Sequence, residues 1–381
     1  MSQPNPTLAI TTHFSKLKDP RRNHRKRHVL IDIVAIAICG VICGCDDWQQ
    51  IAVFGRERRD WLQRFLRLPN GIPSHDTFER VFDRLHPQAF QSCFRNWVAA
   101  ISAALPIPHI AIDGKSLRGS ASNKLGAALH LVSAWATASQ LSLGQVAVDS
   151  KSNEITAIPQ LLELLDLHGA LVTIDAMGCQ KEIAAKIRER GGDYLLTVKD
   201  NQPTLLDDIQ TCFTIALDTN FAGMPHDQYT THERGHGRIE RRSYIILTDP
   251  TGLRQAELWD GLRVIGMCVS ERTVGDKTST EVRYFIGSRV ARAKAYAQAL
   301  RGHWGIENNL HWQMDVHFGE DKSRVTKRHA AENFAVLRRL ALMMLKQHPD
   351  KGSIACKRLA AALSTDFLEE ILRSGANSGK A

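Results

Sequence analysis

Residues 109–119 read HIAIDGKSLRG, and residues 170–178 read ALVTIDAMG. Each is a short apolar run broken by an aspartate and a small residue: Asp113 before Gly114, Asp175 before Ala176. Short apolar runs bounded in this way read as buried strands. Working outward, His130–Thr137 and Leu141–Val148 also read as strands, with a turn around Ala138–Gln140. Thr156–Leu167 reads as a helix stopped by Gly169, Lys181–Arg190 as a helix stopped by Gly191-Gly192, and 193–202 (DYLLTVKDNQ) as a strand. Three strands, helix, strand, helix, strand predicts an α/β fold with a mixed sheet flanked by helices.

Both sides of this block differ from it. Residues 14 to about 101 are helical in pattern: Val29–Ile42, Trp48–Phe65 and Thr77–Trp97, the last with Phe78, Val81, Phe82 and Leu85 on one face and Pro73-Ser74 as stop and N-cap. Pro106 and Pro108 mark a boundary. Beyond the block, strand signals dominate from about Thr211 to Ser288 (SYIILTD, LRVIGMCVSERTV, TEVRYFIGSRV), with GDKTS as a hairpin signal between the last two. Helical patterning returns from Ala291 through Leu345. The expected organisation is a disordered lead-in at 1–12, a helical domain at 13–105 and an α/β domain at 106–345. The α/β domain carries a β-rich insertion at about 211–290, and a C-terminal helix and tail follow at 346–381. No internal repeat is visible.

The formal charge of +9 over 381 residues is a modest excess that favours a polyanionic partner. Its distribution says more: RRNHRKR at 21–27 holds five Arg or Lys in seven positions. None of the eight cysteines forms a CxxC pair, which excludes a zinc ribbon. His232 and His236 have metal-like spacing, but Gly235 and Gly237 around them read as a hairpin turn. The most apolar run, Val29–Cys45, is broken by Asp32 and is marginal in length for a membrane span, so it reads as a core helix. No signal peptide is read at the N-terminus, which gives the expectation of a reducing cytosol.

The chemistry gathers at the strand ends and in one later segment. Open α/β sheets place ligands beyond the carboxyl ends of their strands. Two carboxylates brought together there cost several kcal/mol unless a cation lies between them, and hard oxygen ligands select Mg²⁺ or Mn²⁺. Residues 301–324, RGHWGIENNLHWQMDVHFGEDKSR, add Glu307, Asp315, Glu320 and Asp321, with three His and two Trp. Wrapped as a helix, they put His303, Glu307, Leu310, His311 and Met314 on one stripe. Three carboxylates can hold two metals about 3.5–4 Å apart, an arrangement suited to in-line phosphoryl displacement.

Asp, Asp, a β-rich insertion and then Glu on a helix resembles the DDE transposases with an RNase H-like core. AIDGKSLRGS (111–120), KSNEITAIPQLL (151–162), VTIDAMGCQ (172–180), VKDNQP (198–203), ERGHGRIERR (233–242) and HWGIENNLHWQMDVHFGEDKSR (303–324) together are similar to the bacterial insertion-sequence transposases of the H-repeat-associated group. The likeness runs from about residue 10 to 345. It implies Asp113, Asp175 and Glu307 as the catalytic, metal-ligating triad with two Mg²⁺ or Mn²⁺ ions. It also implies terminal inverted repeats and target DNA as partners, at least a dimer on synapsis, no membrane, and a cytoplasmic protein that joins the nucleoid when DNA-bound. The wider pattern Tyr-x2-Arg-x3-Glu-x6-Lys falls on Leu300, His303, Glu307 and Met314, so its Tyr, Arg and Lys are not carried over. Arg301, His303 and Lys322 are the candidate substitutes. DNA contacts are expected from Arg21, Arg22, Arg25, Lys26 and Arg27, and from Lys115, Lys199, Arg301, His303, Lys322 and Arg324. Arg118, Asn201 and Gln202 are further candidates. Trp304 and Trp312 read as core anchors or base-stacking platforms, with core the expectation for at least one.

Overall fold

The structure, a computed structural model, describes residues 8–22, 26–102, 107–120, 128–148, 153–235, 237–248 and 252–377. Its N-terminal part is helical: α1 (Leu8–Phe14), α2 (Leu30–Ile42), α3 (Trp48–Glu57), α4 (Arg59–Leu62), α5 (His75–Arg84) and α6 (Pro87–Ser102). The lead-in expected at 1–12 is corrected from Leu8 onward. Ile10 and Phe14 are buried, and the Phe14 ring packs on Phe90 with centroids 5.4 Å apart, so apolar burial orders the segment. α2 is buried along nearly its whole length. Its one carboxylate, Asp32, accepts the Leu68 N–H at 2.9 Å, which offsets part of the cost of burying it; burial still raises the carboxyl above its ordinary range. Among the described residues no helix is long and apolar enough to cross a membrane.

The single helix expected at 77–97 is split. The residue before a proline is kept out of the helical region, and Pro87 instead opens α6, where its missing N–H costs nothing. The carbonyls of Phe82 and Leu85 left open at the break are taken by the Asn333 side-chain amide, at 2.7 and 2.9 Å.

β1 (His109–Leu117) pairs antiparallel with β2 (Leu129–Ala136), and β2 with β3 (Leu141–Ala147). After α7 (Glu154–Glu163) the chain returns as β4 (Leu171–Ile174), parallel to β1; after α8 (Lys181–Glu189) it returns as β5 (Asp193–Val198), parallel to β4. The order β3-β2-β1-β4-β5 is that of the expected RNase H-like mixed sheet. The β1–β4 ladder runs in register from His109–Leu171 to Ile112–Ile174 and stops there. The next residue on each strand is Asp113 and Asp175. β1 itself does not end at Asp113, as its sequence suggests, but continues along β2 to Leu117.

The β-rich stretch is not a separate body. It opens with a helix, α9 (Pro203–Asp218), and its strands β6 (His226–Gly235), β7 (Arg238–Thr248), β8 (Val264–Val274) and β9 (Lys277–Gly287) extend the same sheet, because β9 pairs antiparallel with β5. The full order is β3-β2-β1-β4-β5-β9-β8-β7-β6.

α10 (Ala293–Ile306) crosses this sheet, continues through a π turn at Glu307–His311 into α11 (Trp312–Phe318), and leads to α12 (Arg328–Gln347). The C-terminal portion holds two helices, α13 (Ile354–Leu363) and α14 (Thr365–Asn377), where one was expected. α12 packs against α2, α5, α6 and α14, so both ends of the chain build the helical body. Arg358 ties it further by donating to the Val41 carbonyl at 3.1 Å. One apolar core runs without a break from α1 through β1 and β4 to α14.

Candidate active site

Asp113, within β1, and Asp175, just past β4, come side by side because each is the residue after the last pair of the parallel ladder. Asp175 caps a single turn of 3-10 helix: its Oδ1 accepts the N–H groups of Met177 at 3.1 Å and Gly178 at 3.4 Å. The turn is braced from the next strand end. Asn201 donates to the Ala176 carbonyl at 2.7 Å and Gln202 to the Cys179 carbonyl at 2.8 Å. Asn201 and Gln202, read from sequence as DNA candidates, thus hold the Asp175 loop in place.

α10 brings the third acid. The π turn widens the helix where Glu307 begins it, a distortion common at functional sites. Its effect is to break the stripe expected on an ideal helix. Leu310, His311 and Met314 are buried, whereas Glu307 faces solvent. His311 Nδ1 lies 3.4 Å from Asp113 Oδ2. His303, one turn before Glu307, bonds Thr173 through Nδ1 at 3.0 Å, and Thr173 Oγ1 meets His109 Nε2 at 2.8 Å. His109 Nδ1 in turn meets Thr137 Oγ1 at 2.9 Å. This chain fixes α10 to β4 and β1 directly beneath the acids.

The electrostatics show an excess of negative charge. Burial raises the Asp175 carboxyl above its ordinary range, with Glu154 and Asp113 adding to the rise and His303 opposing it. Burial also pushes Asp113 upward, but the His311 hydrogen bond and the His311 and His303 charges outweigh it and leave Asp113 below the usual range. Burial lowers His303 below its ordinary value even though the charges of Asp113, Asp175 and Glu307 oppose the fall. His109 is pushed down to about 4 by burial and the neighbouring His303, and is neutral at pH 7.

These donors fit a divalent cation. They are hard oxygens with unbalanced charge, and Asp113 has two buried polar neighbours without a partner among the described residues: Ser133 Oγ, opposite it on β2, and His311 Nε2. Among the described residues no three His, Cys, Asp or Glu side chains are already gathered closely enough to hold an ion.

The remaining expected residues divide. Arg21 is turned inward, with its guanidinium on Asp19 at 2.9 Å and on the His28 carbonyl at 2.6 Å, whereas Arg22, Lys26 and Arg27 are exposed; Arg25 lies outside the described residues. Lys115 is also turned inward, ion-paired with Asp315 and with Glu320 at 3.5 Å. Glu320, wholly buried, is held by Arg339 at 3.0 Å. These two inward cations are corrections: Asp19 and the His28 carbonyl draw Arg21, and Asp315 with the buried Glu320 draw Lys115, away from solvent. Lys199, Lys322 and Arg324 are exposed, and so is Arg301, which bonds Glu233 at 2.9 Å. Arg118 is exposed, with its Nε 3.9 Å from Asp321. His232 lies in β6 before the Gly235-to-Arg238 hairpin, and His236 lies outside the described residues. Trp304 and Trp312 are each half exposed, so neither is the core anchor expected of at least one. Three groups escaped the sequence reading: His109, Thr173 and Glu154, the last inside the quoted KSNEI motif.

Comparisons with known proteins identify the family. The family model described as DDE_Tnp_1-associated matches residues 11–98, and that described as Transposase DDE domain matches residues 104–344. "Putative transposase YncI" of Escherichia coli O157:H7 is 40% identical over 377 residues, 97% of this chain and 96% of that protein. "H repeat-associated putative transposase YhhI" of Escherichia coli K12 is 38% identical over 371 residues, 95% of this chain and 97% of that protein. Among solved structures, a piggyBac transposase synaptic complex with hairpin DNA aligns over all of this chain and 83% of that chain at a TM-score of 0.45 and 11% identity. With one family model spanning more than half its length and near-full-length relatives at about 40% identity, the chain belongs to the DDE transposase family, in company with the H-repeat-associated proteins.

Proposed function

We propose that this transposase binds the terminal inverted repeats of its own element, hydrolyses a phosphodiester to free a 3′-OH, and directs that hydroxyl onto target DNA. The observation that supports the reading is the end of the parallel β1–β4 ladder at Ile112 and Ile174, which makes Asp113 and Asp175 the next residues on the two neighbouring segments, beneath the helix that bears Glu307. Asp113, Asp175 and Glu307 would hold Mg²⁺ or Mn²⁺, two ions in all. When bound, such ions supply activation of the attacking oxygen and stabilisation of the leaving one. The chain's own contributions are distinct. The His303–Thr173–His109 chain sets the height of the Glu307 helix above the strands, and His311 orients Asp113. The half-exposed Trp304 and Trp312 flank Glu307 and offer flat apolar faces to an unstacked base. Two ends brought together imply at least a dimer during reaction.

The test is the full-length protein with labelled terminal repeats and Mg²⁺ or Mn²⁺. Cleavage and joining are expected, and Asp113→Ala or Glu307→Ala should lower both by at least about 100-fold, the upper end of what even indirect metal partners cost. Variants as active as the wild type would remove the triad assignment. Repeat binding by the wild type without any joining would instead favour a DNA-binding relic of a mobile element, and cleavage without regard to the repeats a metal-dependent nuclease.

A further inference from the structure

The π turn at Glu307–His311 decides where the Glu307 carboxylate points, and such turns are rare because each opens the ordinary helical ladder. Here side chains serve the carbonyls along it. Lys346, in the last turn of α12, donates to the Asn309 carbonyl at 3.1 Å and to Gln140 Oε1 at 3.2 Å. Towards the two ends of the turn the contacts are longer. Asn308 donates to the Trp304 carbonyl at 3.3 Å, and Lys115 reaches the His311 carbonyl at 3.5 Å.

A lysine in the last turn of a helix ordinarily meets that helix's own final carbonyls. On α12 this task falls to Lys357, which donates to the Leu345 and His348 carbonyls, each at 3.0 Å. Lys346 is turned towards the sheet instead. Its ammonium lies 4.7 Å from the centre of the Trp135 ring, which is wholly buried on β2. Burial lowers that ammonium to about 8, and among the described residues no carboxylate is paired with it. Side chains alternate along a strand, so Trp135 and Ser133 share one face of β2, opposite Ala111 and Asp113 of β1. α10 lies on the same face. A Cβ added at Gly302 would come within 2.9 Å of the His109 ring, and one at Gly305 within 4.0 Å of Trp135 Nε1. Lys346 thus ties the Glu307 turn to the strand pair that carries Asp113.

We infer that Lys346 is a positioning residue: seated on Trp135, it holds the Asn309 carbonyl and so locks the π turn that aims Glu307. Its bearing on the chemistry rests on the triad proposed above; its hold on the turn does not.

The experiment compares full-length wild type, Lys346→Met, Lys346→Gln and Lys346→Arg in two ways: backbone hydrogen exchange read by mass spectrometry, and single-turnover cleavage of labelled terminal repeats with Mn²⁺. Lys346→Met fills the place over Trp135 without donating. The amides of Glu307–Trp312 should then exchange about 10-fold faster or more, the worth of one hydrogen bond from a charged group, while those of β1 and β4 keep their wild-type rates. Cleavage should slow by a similar factor with repeat affinity unchanged. Lys346→Arg keeps a charged donor and should recover most of both. Lys346→Gln stays polar but is one bond shorter, and it decides the matter if Lys346→Met melts early. Wild-type exchange across the turn in a folded Met or Gln variant, or faster exchange spread evenly over the chain, overturns the inference. Fast exchange confined to the turn with wild-type cleavage overturns the bearing on Glu307 alone. A wild type that leaves the repeats uncut removes the reaction proposed above, and the hold of Lys346 then stands or falls by the exchange.

Discussion

Two acidic regions, one at the end of the β1–β4 ladder with Glu307 above it and the other further along the α10–α12 connection, are built on opposite principles. Asp113, Asp175 and Glu307 have no Lys or Arg paired to them among the described residues; Asp113 is met instead by His311, 3.4 Å away. Asp315, Glu320 and Asp321, a few residues further on, are answered within the protein by Lys115, Arg338 and Arg339. The sequence shows the same residue types in both. The difference teaches that an acid's role follows from whether the fold supplies its counter-charge. Where it does, the carboxylate is part of the fold; where it does not, the charge stays uncompensated within the described residues, which is what the proposed metal site would use.

The compensated region gives the largest expected effect. Glu320→Gln leaves the buried Arg338 and Arg339 without their counter-charge and should cost about 3–5 kcal/mol of stability, read as a fall in the denaturant midpoint. The pH dependence has a definite sign. Burial pushes the Glu320 carboxyl up, but Arg339, Arg338 and Lys115 outweigh it and hold it below the ordinary range. A depressed carboxylate contributes stability that is present above its unfolded value and is lost as pH falls through its folded value. Wild type should therefore lose this increment in acid, below the ordinary glutamate range, and Glu320→Gln should flatten that part of the profile. A variant with unchanged stability would erase the distinction between the two regions.

The cations divide in the same way, with a smaller effect. Arg21 is occupied by Asp19 and the His28 carbonyl, while Arg22, Lys26 and Arg27 face solvent. Replacing Arg22, Lys26 and Arg27 by Ala should weaken DNA binding whatever its sequence. It should also lower the slope of log affinity against log salt by about 0.9 for each phosphate that is no longer neutralised. Arg21→Ala should leave that slope alone and register in the melting temperature instead. If Arg21 moves the slope as much as the others, its inward pose does not describe its role.

What the sequence made legible follows from how local each feature is. HIAID and LVTID carry their own burial pattern, so the two strands and the mixed sheet around them are readable directly, although β1 runs past Asp113 to Leu117 along β2. β6 is not, because HDQYTTHERG is polar on both faces and owes its strand state to pairing with β7. α9 does carry a local signal, overshadowed by the strand-like runs that follow it: Pro203 at its start, then Leu205, Ile209 and Phe213 on one face. The site divides similarly. Asp113 and Asp175 are placed by their own strands, but the face on which Glu307 lies depends on a π turn, which an ideal helical wheel does not foresee. Lys115 and Arg21 look like free cations because the acids that bind them are revealed only by folding or by a turn of the chain.

The most direct test of the uncompensated region asks where on the chain a metal sits. With Fe²⁺ in place of Mg²⁺, and ascorbate and peroxide added, hydroxyl radicals cut the backbone next to the bound ion, and mass spectrometry locates the cuts. The account predicts cuts near Asp113, Asp175 and Glu307, suppressed by excess Mg²⁺ and absent around Asp315 to Asp321. Cuts confined to the Asp315–Asp321 segment, or cuts that Mg²⁺ does not suppress, would contradict it.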